Sequence, residues 1–217
     1  MILVPVKSLS DAKQRLAPAL NSAARAELAR TMLFDVLTTL STWRNRPEIS
    51  LVTSDATAIQ LAHYFRFSVI ADEANLSETD AIATATALCE SRGEKETLVI
   101  PGDIPLIQVW ELERIFQEAP AEGSVLVPSF DGCGTNAALR SPAGLFPLRF
   151  GNDSFEPHLA AANATQKPCV VLNLPGIALD IDCPADLHEL LASPGETRSQ
   201  RLLRRWNLTE LPLAANE

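Results

Sequence analysis

Short runs of Val, Ile and Leu recur along this chain without polar alternation, each followed by a stretch of helical spacing, and that repeat limits the fold more than any other feature. The runs "ILVPV", "ISLVTS", "FSVIAD" and "TLVIP" fall at 2–6, 49–54, 67–72 and 97–101. Strands buried on both faces of a parallel sheet read this way, and joining parallel strands requires crossovers of a dozen residues or more. The intervening segments supply them. Asn21 or Ser22 caps a helix running to about Trp43, with Ala26, Leu33, Leu37 and Leu40 at helical spacing; Asp55 caps another through Phe65; Ser77 opens an alanine-rich helix to Ser91. The pattern predicts an α/β fold with a mostly parallel sheet flanked by helices. At 217 residues the chain is read as one domain over 1–217.

The second half is less regular. A helix is expected after Pro105 to about Glu118, then the strand "SVLVPSF", a loose region from Asp131 to Asp153, a helix near Phe155 to Asn163 and the strand "CVVLNL". "GIALDID" reads as a strand end, and Pro184 opens a further helix. "RSQRLLRRWNL" is read as a basic surface helix with a solvated face, a subunit contact in a homodimer being the alternative. From about residue 208 the chain reads as a loose tail.

A net charge of −9 excludes a phosphate-tracking nucleic-acid surface, which needs clustered Lys and Arg. No segment approaches the length of a membrane span, and the start "MILVPVK" is too short for a signal-peptide core, so a cytoplasmic protein is expected. Cys89, Cys133, Cys169 and Cys183 are widely spaced with no Cys-x-x-Cys pair, which points to reduced, mostly buried thiols rather than a zinc site or a disulfide scaffold.

Four stretches could carry chemistry. In "LVIPGDIPLI" a carboxylate, Asp103, stands at the mouth of the most apolar strand, where parallel α/β sheets gather ligands. Gly102 permits close backbone approach, and Pro105 suits the first turn of a helix that Asp103 would otherwise merely cap. In "GIALDIDCP", Asp180 and Asp182 alternate, so a strand would aim both to one side, where a magnesium ion is the economical neutraliser; capping the next helix is the alternative for Asp182. "VPVKSLSDAKQRL" collects Lys7, Lys13 and Arg15 after the first strand, a set suited to a triphosphate, although no Gly-x-x-x-x-Gly-Lys is present. Finally, "PSFDGCGTNAALR" and "RFGNDSFEPHL" offer small donors and N–H groups for a phosphate or carboxylate. His158 reads as a packed or surface helix residue rather than as a base.

In this order, "VPVKSLSDAKQRL", "IPGDIPLI", "DGCGTNA", "FGNDSFEPH" and "GIALDIDCPADL" resemble the 2-phospho-L-lactate guanylyltransferase family, including its phosphoenolpyruvate guanylyltransferase members, to about Leu191. The resemblance implies a Rossmann-like nucleotidyltransferase fold and transfer of GMP from GTP to a small phosphorylated carboxylic acid (2-phospho-L-lactate, phosphoenolpyruvate or 3-phosphoglycerate), releasing pyrophosphate, in biosynthesis of coenzyme F-420. By the same resemblance Asp103 and Lys13 are the catalytic candidates, and Asp103, Asp180 and Asp182 the ligands of Mg²⁺. Lys7, Lys13, Arg15, Pro101 and Gly102 fall to the nucleotide, and Thr135, Asn136, Gly151 and Ser154 to the acceptor acid.

The chain departs from that family at two places. Ser77, Glu78 and Thr79 stand where Gly-Leu-Asn is usual, and Asn152 and Asp153 replace small residues. Added negative charge beside a polyanion leaves open another nucleotide or acceptor, or a homologue that binds ligand without turning it over.

Overall fold

The computed structural model describes residues 1–73, 76–151 and 153–207. The expected tail from about 208, and Asn152, lie outside the described residues. The strands are β1 (Ile2–Pro5), β2 (Ile49–Thr53), β3 (Ser68–Ala71), β4 (Thr97–Val99), β5 (Gly123–Pro128), β6 (Thr135–Ser141) and β7 (Cys169–Val171). They form one sheet in the order β3-β2-β1-β4-β6-β5-β7. All pairings are parallel except those of β6, which runs antiparallel to both β4 and β5.

The helices are α1 (Ser22–Thr42), α2 (Ala56–Phe65), α3 (Glu78–Ser91), α4 (Val109–Gln117), α5 (Phe155–Ala164), α6 (Pro175–Ala178), α7 (Pro184–Ala192) and α8 (Arg198–Arg205). The three expected caps form: Asn21 Oδ1 accepts the Ala24 N–H, Asp55 Oδ1 those of Thr57 and Ala58, and Ser77 Oγ that of Asp80. The apolar runs lack alternation because both faces are covered. Ile2 and Val4 pack into one core while Leu3 packs into the other, and Leu98 and Val99 divide in the same way.

A third cluster shapes the site. Leu16, from the short helical turn Gln14–Leu16 after β1, packs with Leu28 and Met32 of α1, Leu179, Ile181, Leu187 of α7 and Leu203 of α8. These residues bring the loop after β1 against the segment preceding α7, segments far apart in sequence.

Several expectations are corrected. Of the four cysteines expected to be mostly buried, Cys89 is, whereas Cys133 is exposed and Cys169 and Cys183 are half-buried. The loose region from Asp131 to Asp153 contains β6, whose apolar pattern is interrupted by the buried Asn136 and Arg140. Arg140 is hydrogen-bonded internally, to the Phe146 carbonyl and to Thr86 and Thr97. "GIALDID" is no strand: Pro175 opens the one-turn α6, and Asp180 follows it in irregular backbone. α4 begins at Val109 rather than just after Pro105, because Glu111 accepts the Gln108 N–H and fixes the helix start there. Among the described residues, therefore, Gln108 rather than Asp103 precedes α4, and Cys183 rather than Asp182 precedes α7. α8 exposes Arg201, Arg204 and Arg205, yet its other face is no solvated surface. Leu202 and Leu203 are buried, and Asp35 of α1 accepts the N–H groups of Arg198 and Ser199.

Candidate active site

A cleft of about 540 Å³ opens where the carboxyl ends of the parallel strands meet the start of β6, within the range of small-molecule sites. The antiparallel strand creates this meeting. Val99 of β4 lies opposite Ala138 of β6, so Thr135 and Asn136 project past the end of β4 beside Pro101 and Asp103. The Ile181 N–H donates to the Asp103 carbonyl at 3.2 Å, which ties in the third segment. Ile181 is fully buried, and Asp180 and Asp182 on either side of it both line the cleft.

Lys13 sits among these acids. Its ammonium hydrogen-bonds to Asp103 Oδ2 and, at 2.7 Å, to Asp182 Oδ1, while Arg15 pairs with Asp182 Oδ2. Burial alone would lower the Lys13 pKa, but the two carboxylates outweigh it and hold the group above its ordinary value. The Asp182 carboxyl is pushed up by burial and more strongly down by Lys13 and Arg15, leaving it below the usual range. Lys13 has φ 58°, a left-handed conformation that costs a non-glycine residue about 1 kcal/mol, and its carbonyl accepts the Leu16 N–H at 2.9 Å in the turn that follows.

Asp180 has a different partner. The Asn136 side-chain amide donates to Asp180 Oδ1 at 2.9 Å and to the carbonyls of Ile177 and Ala178. Asn136, assigned by resemblance to the acceptor, thus has both hydrogens engaged within the protein and orients Asp180. Burial, with the charges of Asp103 and Asp182, raises the Asp180 carboxyl to about 6 despite the Asn136 bond. Glu78 also faces the cleft, and burial together with Asp103 raises it to about 7 against the pull of Lys13 and Lys7.

The remaining expected residues divide. Pro101, Thr135, Gly151 and Ser154 line the cleft. Lys7 pairs with Asp72 at 2.6 Å outside the lining, and Gly102 also lies outside it. The reason for glycine at 102 is packing: a Cβ there would lie 3.1 Å from Leu33 Cδ1. The backbone donors expected from "DGCGTNA" are engaged too, Cys133 N with Asp131, Gly134 N with Ser129 Oγ and Thr135 N with Ser154 Oγ. Sequence reasoning missed Phe130, an aromatic 72% exposed at the cleft, and Asp186. The signal for Asp186 was its place in the first turn of α7, where it accepts the Asp182 and Cys183 N–H groups.

The cleft is acidic. Asp131, Asp153 and Asp186 join Glu78, Asp103, Asp180 and Asp182 in its lining, against Arg15. Among the described residues no three His, Cys, Asp or Glu side chains close around one point as a complete metal cage. Magnesium needs only one or two carboxylates, and among the described residues Asp103 Oδ1 is buried with no hydrogen-bond partner, beside the crowded Asp180, which is the kind of donor such an ion would take.

Comparison with known proteins gives the family and the fold. Residues 1–215 match the family described as "Guanylyl transferase CofC like". The chain is 35% identical to phosphoenolpyruvate guanylyltransferase of Roseiflexus castenholzii, with 94% of this chain and 93% of that protein covered. It is 33% identical to 3-phospho-D-glycerate guanylyltransferase of Colwellia psychrerythraea (89% and 92% covered) and 27% identical to 2-phospho-L-lactate guanylyltransferase of Methanobrevibacter smithii (93% and 88%). A solved structure of the nucleotide-diphospho-sugar transferase type from Desulfovibrio desulfuricans superposes with a TM-score of 0.77 over 95% of this chain and 94% of that one. At 19% identity it shows the fold alone. With its match spanning nearly every residue, the chain belongs to the CofC-like guanylyl transferase family and is a nucleotidyltransferase.

Proposed function

We propose that the protein transfers GMP from GTP to the phosphate of a small phosphorylated carboxylic acid, releasing pyrophosphate, with Mg²⁺ as its cofactor and in the F-420 pathway that the sequence resemblance implies. The relatives' acceptors, phosphoenolpyruvate, 3-phospho-D-glycerate and 2-phospho-L-lactate, share a carboxylate and a phosphate. The observation carrying the reading is the convergence of Asp103, Asp180 and Asp182 with Lys13 and Arg15 at one end of the sheet.

In the reaction an oxygen of the acceptor phosphate bonds to the α-phosphorus of GTP, and the bond to the β-phosphate breaks with its electron pair leaving on pyrophosphate. The acceptor is already a nucleophile, so the protein supplies position and charge rather than a covalent group. Asp103 and Asp180 would hold magnesium, which when bound neutralises the phosphates and stabilises the leaving group. Lys13 holds Asp103 and Asp182 in place. Arg15, 63% exposed, can turn from Asp182 to a phosphate without stranding a buried charge. Thr135 and Ser154 present hydroxyls to the acceptor.

Glu78 in the cleft favours one second reading, another nucleotide. Pyrophosphate release with GTP, ATP or CTP, each with 2-phospholactate, phosphoenolpyruvate and 3-phosphoglycerate, tests both. Turnover confined to GTP and abolished by EDTA is expected; turnover confined to another nucleotide establishes the second reading, and silence with every pair rejects the enzyme.

A further inference from the structure

His158 lies on α5, 1% exposed, and the mechanism above does not use it. Its two ring nitrogens have different partners. Nε2 stands 2.7 Å from the backbone nitrogen of Arg149, and Nδ1 stands 2.9 Å from Thr135 Oγ1. A backbone N–H only donates, so Nε2 must accept and carries no hydrogen. A neutral imidazole then has its hydrogen on Nδ1, and that hydrogen points at Thr135 Oγ1.

The Thr135 hydroxyl, as acceptor of this bond, has its own hydrogen left for another partner. Thr135 lines the cleft, and its N–H is held by Ser154 Oγ at 3.1 Å, a bond that does not use the Ser154 hydroxyl hydrogen. Both side chains are nearly buried, at 6% and 4% exposed. Phe150 closes the other side of the imidazole edge-on at 5.5 Å between centroids. We infer that His158 is a positioning residue which, locked as the Nδ1–H tautomer by the Arg149 amide, turns the Thr135 hydroxyl into an obligate donor toward an anionic group of the acceptor.

This rests on the reading of an anionic acid as acceptor. It differs from a structural role because it acts through one hydroxyl. Burial and the charge of Arg140 lower the His158 pKa to about 4, so the neutral form persists at neutral pH.

The test has two arms. Long-range proton–nitrogen NMR of the histidines in the wild-type protein reads the tautomer without substrate; protonated Nδ1 and bare Nε2 for His158 are expected, and protonated Nε2 overturns the proposal. The second arm measures acceptor and nucleotide KM for His158→Gln and His158→Asn, alone and with Thr135→Val, after circular dichroism establishes that each is folded. Asn places an amide N–H near the position of Nδ1, whereas Gln does not. His158→Gln should raise the acceptor KM about 10-fold with the nucleotide KM changed by less than about 2-fold. His158→Asn should recover most of that loss. With Thr135→Val, His158→Gln should add less than about 2-fold. Equal effects in both backgrounds, or parallel rises in both KM values, reject the relay. If no acid is turned over, calorimetric titration of phosphoenolpyruvate onto the same proteins separates the cases: binding that weakens with His158→Gln only when Thr135 is present retains the relay while the transferase reading fails, and binding indifferent to both residues ends the relay as well.

Discussion

The backbone N–H of Ile181 donates to the carbonyl of Asp103 at 3.2 Å. This bond ties the end of β4 to the segment bearing Asp180 and Asp182, and Ile181, buried beneath it, anchors both acids above the core. Lys13 completes the connection from a third segment through Asp103 and Asp182.

Asp103→Asn keeps the shape of the side chain and the Asp103 backbone bond while removing the charge. The melting temperature should move by only a few degrees, since Lys13 retains Asp182. Pyrophosphate release should fall at least about 100-fold, the scale of losing a charge aimed at the reacting phosphates. Near-normal turnover in magnesium would remove Asp103 from the catalytic machinery.

Glu78 places a carboxylate in the cleft at the first turn of α3. Helix N-termini favour anions, but a fixed carboxylate there competes with a phosphate for that field. At pH 8 Glu78→Gln should lower the nucleotide KM about 5-fold, equivalent to relief of about 1 kcal/mol of repulsion, with the acceptor KM unchanged. An increase in nucleotide KM would mean that Glu78 instead contacts the nucleotide favourably.

How much of this was legible in the sequence depends on what buries each segment. β1, β2 and β4 declare themselves because successive residues such as Leu3 and Val4 enter opposite cores, which forces nearly uninterrupted apolar runs, whereas the edge strand β3 leaves Ser68 and Ala71 exposed. β6 hides because Asn136 and Arg140 lie within it, satisfied by partners remote in sequence that no local pattern reveals. Asp103, Asp180 and Asp182 were readable as site acids from their positions at segment ends. Their separation into a Lys13-bound pair and an Asn136-bound single was not, since it depends on the antiparallel strand. The alternation in "GIALDID" suggested the right side for the two acids from the wrong backbone: Ile181 faces inward in irregular chain as it would in a strand.

Gly176 links stability to the site. Its N–H donates to the buried Glu111 Oε1 at 2.7 Å, and a Cβ would fall inside contact distance of that carboxylate and 2.5 Å from the Leu106 carbonyl oxygen. Gly176→Ala must displace α6, whose Ile177 and Ala178 carbonyls anchor Asn136 and through it Asp180. Urea unfolding should show a loss of about 2–4 kcal/mol, and turnover should fall at temperatures where the variant remains folded. Unchanged turnover in the folded variant would show that the Asn136 anchor does not govern Asp180.

His158 predicts an acid-side loss of stability. Its folded pKa of about 4 lies below the ordinary 6.5, because burial and the charge of Arg140 oppose protonation. Above pH 6.5 the imidazole is neutral in both states and exacts no penalty. Between pH 6.5 and about 4 the unfolded chain takes up a proton that the folded chain refuses, so stability falls as pH falls and the full loss is reached below about 4. The span corresponds to about 3 kcal/mol, of which about 2 kcal/mol should be lost between pH 7 and pH 5. Asp180 and Glu78, raised to about 6 and 7, act in the opposite sense over the same interval. The His158 contribution is therefore read as a difference: urea unfolding of the wild type should lose about 2 kcal/mol more between pH 7 and pH 5 than that of His158→Gln, which has no proton to gain. Parallel pH profiles for the two proteins would mean that the imidazole protonates freely in the fold, which the Arg149 N–H directed at Nε2 does not permit.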